Sequence, residues 1–179
     1  MKYDYILGID TGTTQTGICL VDASTYKPVS HDKVSNAIVL DIIAQQQPEK
    51  TIVVFERFAP QGQMGKTTLD SIVWYGKFVR ECETHSLDYA EIYRREVKKH
   101  LLGKFDRSNG TADAQINAAL VNRFAPDVRN NGKGTNDSPG WFYGFHSSDE
   151  RAAYAVCVTW LDKQKSTGVY LCHNIQIKQ

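Results

Sequence analysis

Two apolar runs in this chain close on an acid, Ile6-Leu7-Gly8-Ile9 on Asp10 and Ile52-Val53-Val54-Phe55 on Glu56, and Asp149 opens a third apolar element after His146-Ser147-Ser148. A chain that delivers three carboxylates at the ends of buried elements has to bring them together around something positive, because desolvating an unpaired carboxylate is costly. Oxygen ligands of this kind suit magnesium or manganese. A metal-dependent phosphodiester chemistry is therefore the first expectation.

The periodicity around these acids predicts an alternating pattern of elements. Residues 3–10 and 16–22 read as strands joined by a Gly/Thr turn, with a third strand at 28–34. Asn36 is placed to cap a short helix carrying Ile38, Val39, Ile42 and Ile43, and Pro48 leads into the strand that ends at Glu56. Leu69, Ile72, Val73, Gly76 and Val79 recur at helical intervals, which predicts a long helix over 67–85. A strand at 88–93, helices at 94–101 and 112–124, a turn-rich stretch at 103–110, a long loop at 125–144 and a closing helix at 149–165 complete the chain. The expected fold is α/β, a central mixed five-stranded sheet flanked by helices, in a single domain over 1–179. The composition agrees, since 179 residues with 41% hydrophobic and 23% charged can bury a core.

Composition also excludes some classes. No apolar run reaches the length of a membrane span, and Met1-Lys2-Tyr3-Asp4-Tyr5 lacks the apolar core of a signal peptide, so a cytoplasmic protein without a membrane partner is expected. Cys19, Cys82, Cys157 and Cys172 stand singly, with no CxxC pair, and read as buried free thiols. The net charge of +1 does not itself announce nucleic-acid binding.

Taken in order, Ile6-Leu7-Gly8-Ile9-Asp10, Val53-Val54-Phe55-Glu56, Val97-Lys98-Lys99 leading to Ala112-Asp113-Ala114, and His146-Ser147-Ser148-Asp149 resemble a RuvC-type Holliday junction resolvase of the phage-encoded branch, within the ribonuclease H-like superfamily. The resemblance covers nearly the whole chain. It implies a ribonuclease H-like fold and a homodimer that cuts two opposed strands of a four-way junction, with forks as a further branched substrate. It also implies two magnesium ions per subunit, replaceable by manganese, held by Asp10, Glu56, Asp149 and His146, with Asp10 bridging the ions. A phage-encoded relative would work in the host cytoplasm.

The chemistry can be argued from the residues as well. Phosphodiester hydrolysis needs an activated water and positive charge on the attacking and leaving oxygens, which two ions roughly 3.5 to 4 Å apart supply. His146 stands three residues before Asp149, so a helical turn there would place both on one face. With an intrinsic pKa of roughly 6.5, it would bind a metal or water, position the attacking group or carry a proton. Many resolvases of the resembled family have a carboxylate at this position. Neighbouring helical residues diverge by about 100°, so either Asp149 or Glu150 faces the ions. Asp113 reads as a first-turn acid complementing its helix dipole, outside the catalytic set.

DNA contacts are sought in local charge. From 94 to 133 the basic residues are Arg94, Arg95, Lys98, Lys99, Lys104, Arg107, Arg123, Arg129 and Lys133, against Glu96, Asp106, Asp113 and Asp127. Such a stripe suits phosphate steering and counterion release, with Arg94, Arg95, Lys98, Lys99, Lys104 and Arg107 as the candidate contacts. The loop 57–66 adds Lys66 and Phe58, which would stack on an unpaired base for about 1 to 3 kcal/mol. Trp74, Tyr75 and Phe78 widen the apolar perimeter of the long helix, leaving a dimer interface and burial on the sheet both open.

Two other classes start from the same residues. Gly8 to Thr14 also resembles the first phosphate loop of actin-like ATPases and sugar kinases, which need two domains around a cleft and a second phosphate loop that this chain lacks. DEDD exonucleases carry Glu two positions after the opening acid, where this chain has Gly12. A nonenzymatic binder of branched DNA is the remaining alternative, disfavoured by the presence of all the acids.

Overall fold

The computed structural model describes residues 2–57, 65–104 and 106–167. Its elements are β1 (Tyr5–Asp10), β2 (Gln15–Asp22), β3 (Pro28–Ser35), α1 (Asn36–Ala44), β4 (Thr51–Arg57), α2 (Lys66–Thr84), β5 (Tyr89–Tyr93), α3 (Arg94–Leu102), a single 3-10 turn (Arg107–Asn109), α4 (Ala112–Phe124) and α5 (Ser148–Thr167). The five strands lie in the order β3-β2-β1-β4-β5. β1, β2 and β3 pair antiparallel, whereas β1, β4 and β5 pair parallel, so the sheet is mixed as expected.

Strand alternation divides the core between the two faces of the sheet. Leu7, Ile9, Val53 and Phe55 face one side, where α1 supplies Val39 and Ile43 and α2 supplies Phe78 and Cys82. Ile6, Cys19, Val21, Ile52 and Val54 face the other, under α3, α4 and α5. The middle of helix α5 is apolar nearly all round, and Ala153, Tyr154, Ala155, Val156, Cys157, Val158, Trp160 and Leu161 are all buried. Each large apolar side chain buried in this way contributes about 1.5 to 3 kcal/mol before conformational entropy is set against it.

The loop between α4 and α5 is the long one expected. It winds back on itself through Asn130 and Asn131, both in the left-handed region, and a single bridge joins Gly134 to Pro139. Its Phe142 and Phe145 rings stand edge-on to Tyr154 of α5, at 5.5 and 6.2 Å between centroids.

Asn36 is not the cap of α1, because Ser35 takes that position; Asn36 is buried inside the helix start. Its Oδ1 accepts from Thr16 Oγ1 at 2.7 Å and its Nδ2 donates to the Gly12 carbonyl at 3.1 Å, tying α1 to the turn after β1. Cys19, Cys82 and Cys157 are buried free thiols, and Cys172 lies outside the described residues. Along α2 the apolar perimeter divides: Phe78 is buried and Trp74 and Tyr75 are partly so, while Leu69 and Val73 are exposed. Among the described residues no helix is long and apolar enough to cross a membrane.

Candidate active site

Asp10 and Glu56 end up side by side because of register. In the parallel pair β1 and β4, Ile9 lies opposite Phe55, so the next residue of each strand leaves the sheet at the same edge. The alternation that turns Ile9 and Phe55 towards α1 and α2 turns Asp10 and Glu56 towards α5. That helix lies unusually close to the strands. A Cβ on Gly8 would fall 2.3 Å from the Ala153 carbonyl oxygen, and one on Gly17 would fall 2.4 Å from the backbone of Asp149. Only glycine fits at either place, and the second contact seats the first turn of α5, with Asp149, over the strand ends. Asp10, Glu56, Asp113 and Asp149 thereby line one cavity of about 190 Å³, together with Arg94, Asn117 and Ser148.

Asp113 was missed as a member of this group. It does occupy the first turn of α4, whose cap is Thr111, as its local sequence indicates. Sequence does not reveal where that helix end points, and it points at the acids.

The charges on the cavity wall are crowded. Burial, then the Glu56 carboxylate and a hydrogen bond with it, then the Asp149 charge, hold the Asp10 carboxyl up at about 8, while the Arg94 guanidinium acts in the opposite direction. A buried acid that keeps its proton because of neighbouring acids is a place where a cation would stabilise the ionised form. In the structure two protein cations partly fill that need. Arg94 Nη1 donates to Glu56 Oε1 and Oε2 at 3.1 and 3.3 Å, and its Nη2 pairs with Asp113. Lys33 of β3 pairs with Asp149, Nζ to Oδ2 2.7 Å. Among the described residues no three acids, histidines or cysteines are already gathered as an ion cage. The donor chemistry, four carboxylates and, among the described residues, no thiol or imidazole in the same cavity, fits a hard divalent cation such as magnesium or manganese.

The choice between Asp149 and Glu150 has a geometric answer. Ser147 and Glu150 form a capping box at the start of α5: Glu150 N donates to Ser147 Oγ at 3.2 Å, and Ser147 N donates to Glu150 Oε2 at 2.5 Å. The same oxygen accepts from His146 N at 2.7 Å, and Oε1 meets His31 Nδ1 at 2.9 Å. Glu150 is thus buried and occupied, and Asp149 is the one that lines the acid cavity. His146 precedes the helix rather than lying in it, so the three-residue spacing does not bring it onto the face of Asp149. Its side chain is exposed and lines the adjoining cavity instead.

The expected DNA contacts scatter over the surface. Arg94 is drawn into the acid cavity, Arg95 lies over the Tyr93 ring at 5.0 Å, and Lys66, Lys99, Lys104 and Arg107 are exposed. Lys98 is partly exposed on α3. Phe58 lies outside the described residues.

No family model matches the sequence, and no curated protein matches it. Solved structures do. The fold is similar to that of T. thermophilus RuvC in complex with Holliday junction substrate, at a TM-score of 0.65 and 14% identity over 92% of this chain and 97% of that one. It is also similar to the Thermus thermophilus RuvC structure, at 0.58 and 15% identity over 94% and 99%. At such identities the likeness is one of fold.

Proposed function

We propose that this chain is a metal-dependent endodeoxyribonuclease that cuts phosphodiester bonds in Holliday junctions and other branched DNA, acting as one domain over 1–179. The observation that carries this reading is the convergence of carboxylates from β1, β4, α4 and α5 in one cavity of a RuvC-like fold. Asp10, Glu56 and Asp149 would hold two magnesium ions, or manganese in their place, and Asp113 is a fourth oxygen donor within reach of the group. When bound, such ions activate water and neutralise charge on the phosphate oxygens. Asp10 gives up its proton as the cavity gains positive charge, and Arg94 and Lys33 shift from the acids towards the substrate phosphate. His146 serves the strand or a water from the adjoining cavity. Lys66, Arg95, Lys98, Lys99, Lys104 and Arg107 steer the DNA arms, and Phe58 stacks on an unpaired base.

A homodimer follows from the reaction, since two symmetric nicks need two centres related by a two-fold axis. The exposed Ile38, Leu69 and Val73 on α1 and α2 supply apolar surface for it. The substrate suits a cytoplasmic setting.

The deciding experiment incubates the wild type and Asp10→Asn with a synthetic four-way junction, a fork and a linear duplex in magnesium and in manganese. Symmetric nicks in the junction are expected from the wild type and none from the variant, with junction binding kept. Binding by the wild type without cleavage in either metal would make the chain a nonenzymatic branched-DNA binder instead.

A further inference from the structure

Beside the acid cavity lies a larger one of about 600 Å³, and Asn117 and Ser148 line both. Its wall includes Arg151, which is only 7% exposed although charged. The guanidinium lies over the Phe142 ring at 4.8 Å and the Phe145 ring at 5.8 Å, and Nη2 donates to the Asn131 carbonyl at 3.1 Å. Nη1 is buried and has no hydrogen-bond partner among the described residues. The adjacent Glu150 carboxylate favours the charge through space but does not accept from Nη1, its oxygens being taken by His31, His146 N and Ser147 N. Lys133 adds a second cation to the wall, and no Asp or Glu lines the cavity among the described residues.

A buried guanidinium with an unsatisfied N–H is costly in the free protein and becomes favourable when an anion meets it, most of all an oxyanion that accepts in the plane of the fork. We propose that this cavity is a binding site for the phosphate group of a nucleotide, held by Arg151 and Lys133, with the sugar or base against Val121 and Phe145. The volume suits a nucleotide unit better than a bare ion. Asn117 and Ser148, shared with the acid cavity, lie on the path of a strand running from one cavity to the other. The inference rests on the nuclease reading and extends it: one phosphate away from the cut would be gripped in a built pocket rather than on open surface.

Two sources of the phosphate are separated by two arms of one experiment. In the first, a junction strand carries a single methylphosphonate at successive positions around the cut, and binding is measured for the wild type, Arg151→Leu and Lys133→Gln. One position is expected at which the neutral linkage weakens wild-type binding by about tenfold, as loss of a charge-assisted hydrogen bond does. Both variants should bind about as weakly as that and be insensitive at that position alone, the signature of a shared contact. In the second arm, dAMP and inorganic phosphate are titrated calorimetrically into the same three proteins. Binding of dAMP lost in the variants, without a sensitive strand position, would assign the pocket to a free nucleotide. If the wild type cuts junctions yet shows neither a variant-dependent position nor dAMP binding, the phosphate site is refuted and the nuclease reading stands. If it neither binds nor cuts DNA, the nuclease reading itself fails. Thermal melts verify folding, and Lys133→Gln on the surface keeps the test decisive should Arg151→Leu fail to fold.

Discussion

Ser147 and Glu150 cap α5 reciprocally, and by doing so they assign the two adjacent acids opposite duties. Glu150 is turned inward to hold its own helix end and the loop before it, while Asp149 is left to face the acid cavity.

Glu150→Ala should therefore damage structure and site together. It strands His31 and two backbone N–H groups, which costs about 2 kcal/mol or more. Thermal melting should show that loss, and cleavage should fall because the first turn carrying Asp149 frays. A variant with wild-type stability and full cleavage would show that the cap does not position the acid.

In the proposed metal site, Arg94 would compete with divalent cations for Glu56. Arg94→Gln should raise affinity for manganese by about tenfold, read by electron paramagnetic resonance titration, since a unit charge a few ångströms away contributes kilocalories even at intermediate dielectric. The same change should lower affinity for junction DNA if Arg94 moves onto the phosphate. Unchanged metal affinity would remove the competition.

Lys99→Glu with Lys104→Glu should weaken binding to every DNA tested. The logarithmic salt slope should become less negative by on the order of 0.9 for each duplex phosphate that is no longer neutralised, while manganese binding is spared. An unchanged affinity and slope would place the DNA path elsewhere.

Asp162 on α5 ties three elements together, accepting from Arg123 at 2.6 and 2.8 Å, from Tyr26 at 2.8 Å and meeting His100 at 2.7 Å. Burial pushes its carboxyl up, but the hydrogen bonds from Arg123, His100 and Tyr26 outweigh it and hold the group at about 2. An unfolded Asp takes up its proton near about 3.9, so this stability is fully present above that value and is lost as pH falls towards about 2. Asp162→Asn should cost on the order of 2 kcal/mol at neutral pH and flatten the stability profile in that acid window, measured by urea unfolding. An identical acid limb in the variant would count against the assignment.

Much of the fold was legible because its signals are local. The apolar alternation of β1, β2 and β4 and the helical spacing in α4 require only the chain's own neighbours, and α4 spans Ala112–Phe124 as its pattern indicates. The site was legible only where strand ends announce themselves. Arg94 reads as one member of a basic stripe, yet Glu56 lies opposite Ile92 in the β4 and β5 register, which sets Arg94 two residues beyond it beside the acid. Lys33 sits on an exposed strand whose pairing brings it to Asp149, and Asp113 depends on the direction of a helix. The spacing of His146 and Asp149 puts them on one face only inside a helix, and the helix begins at Ser148. The Ser147-Ser148-Asp149-Glu150 pattern was the available clue, a capping box that locates the helix start and takes Glu150 out of contention.

The two glycines under α5 make a joint beside the candidate site that has no room for a side chain. Because the helix rests on bare backbone at Gly8 and Gly17, the main chain of Asp149 comes directly against β2 at Gly17, while at Gly8 the Ala153 carbonyl and the Cys157 sulfur press on the strand. One methyl group at Gly17 would wedge that joint open.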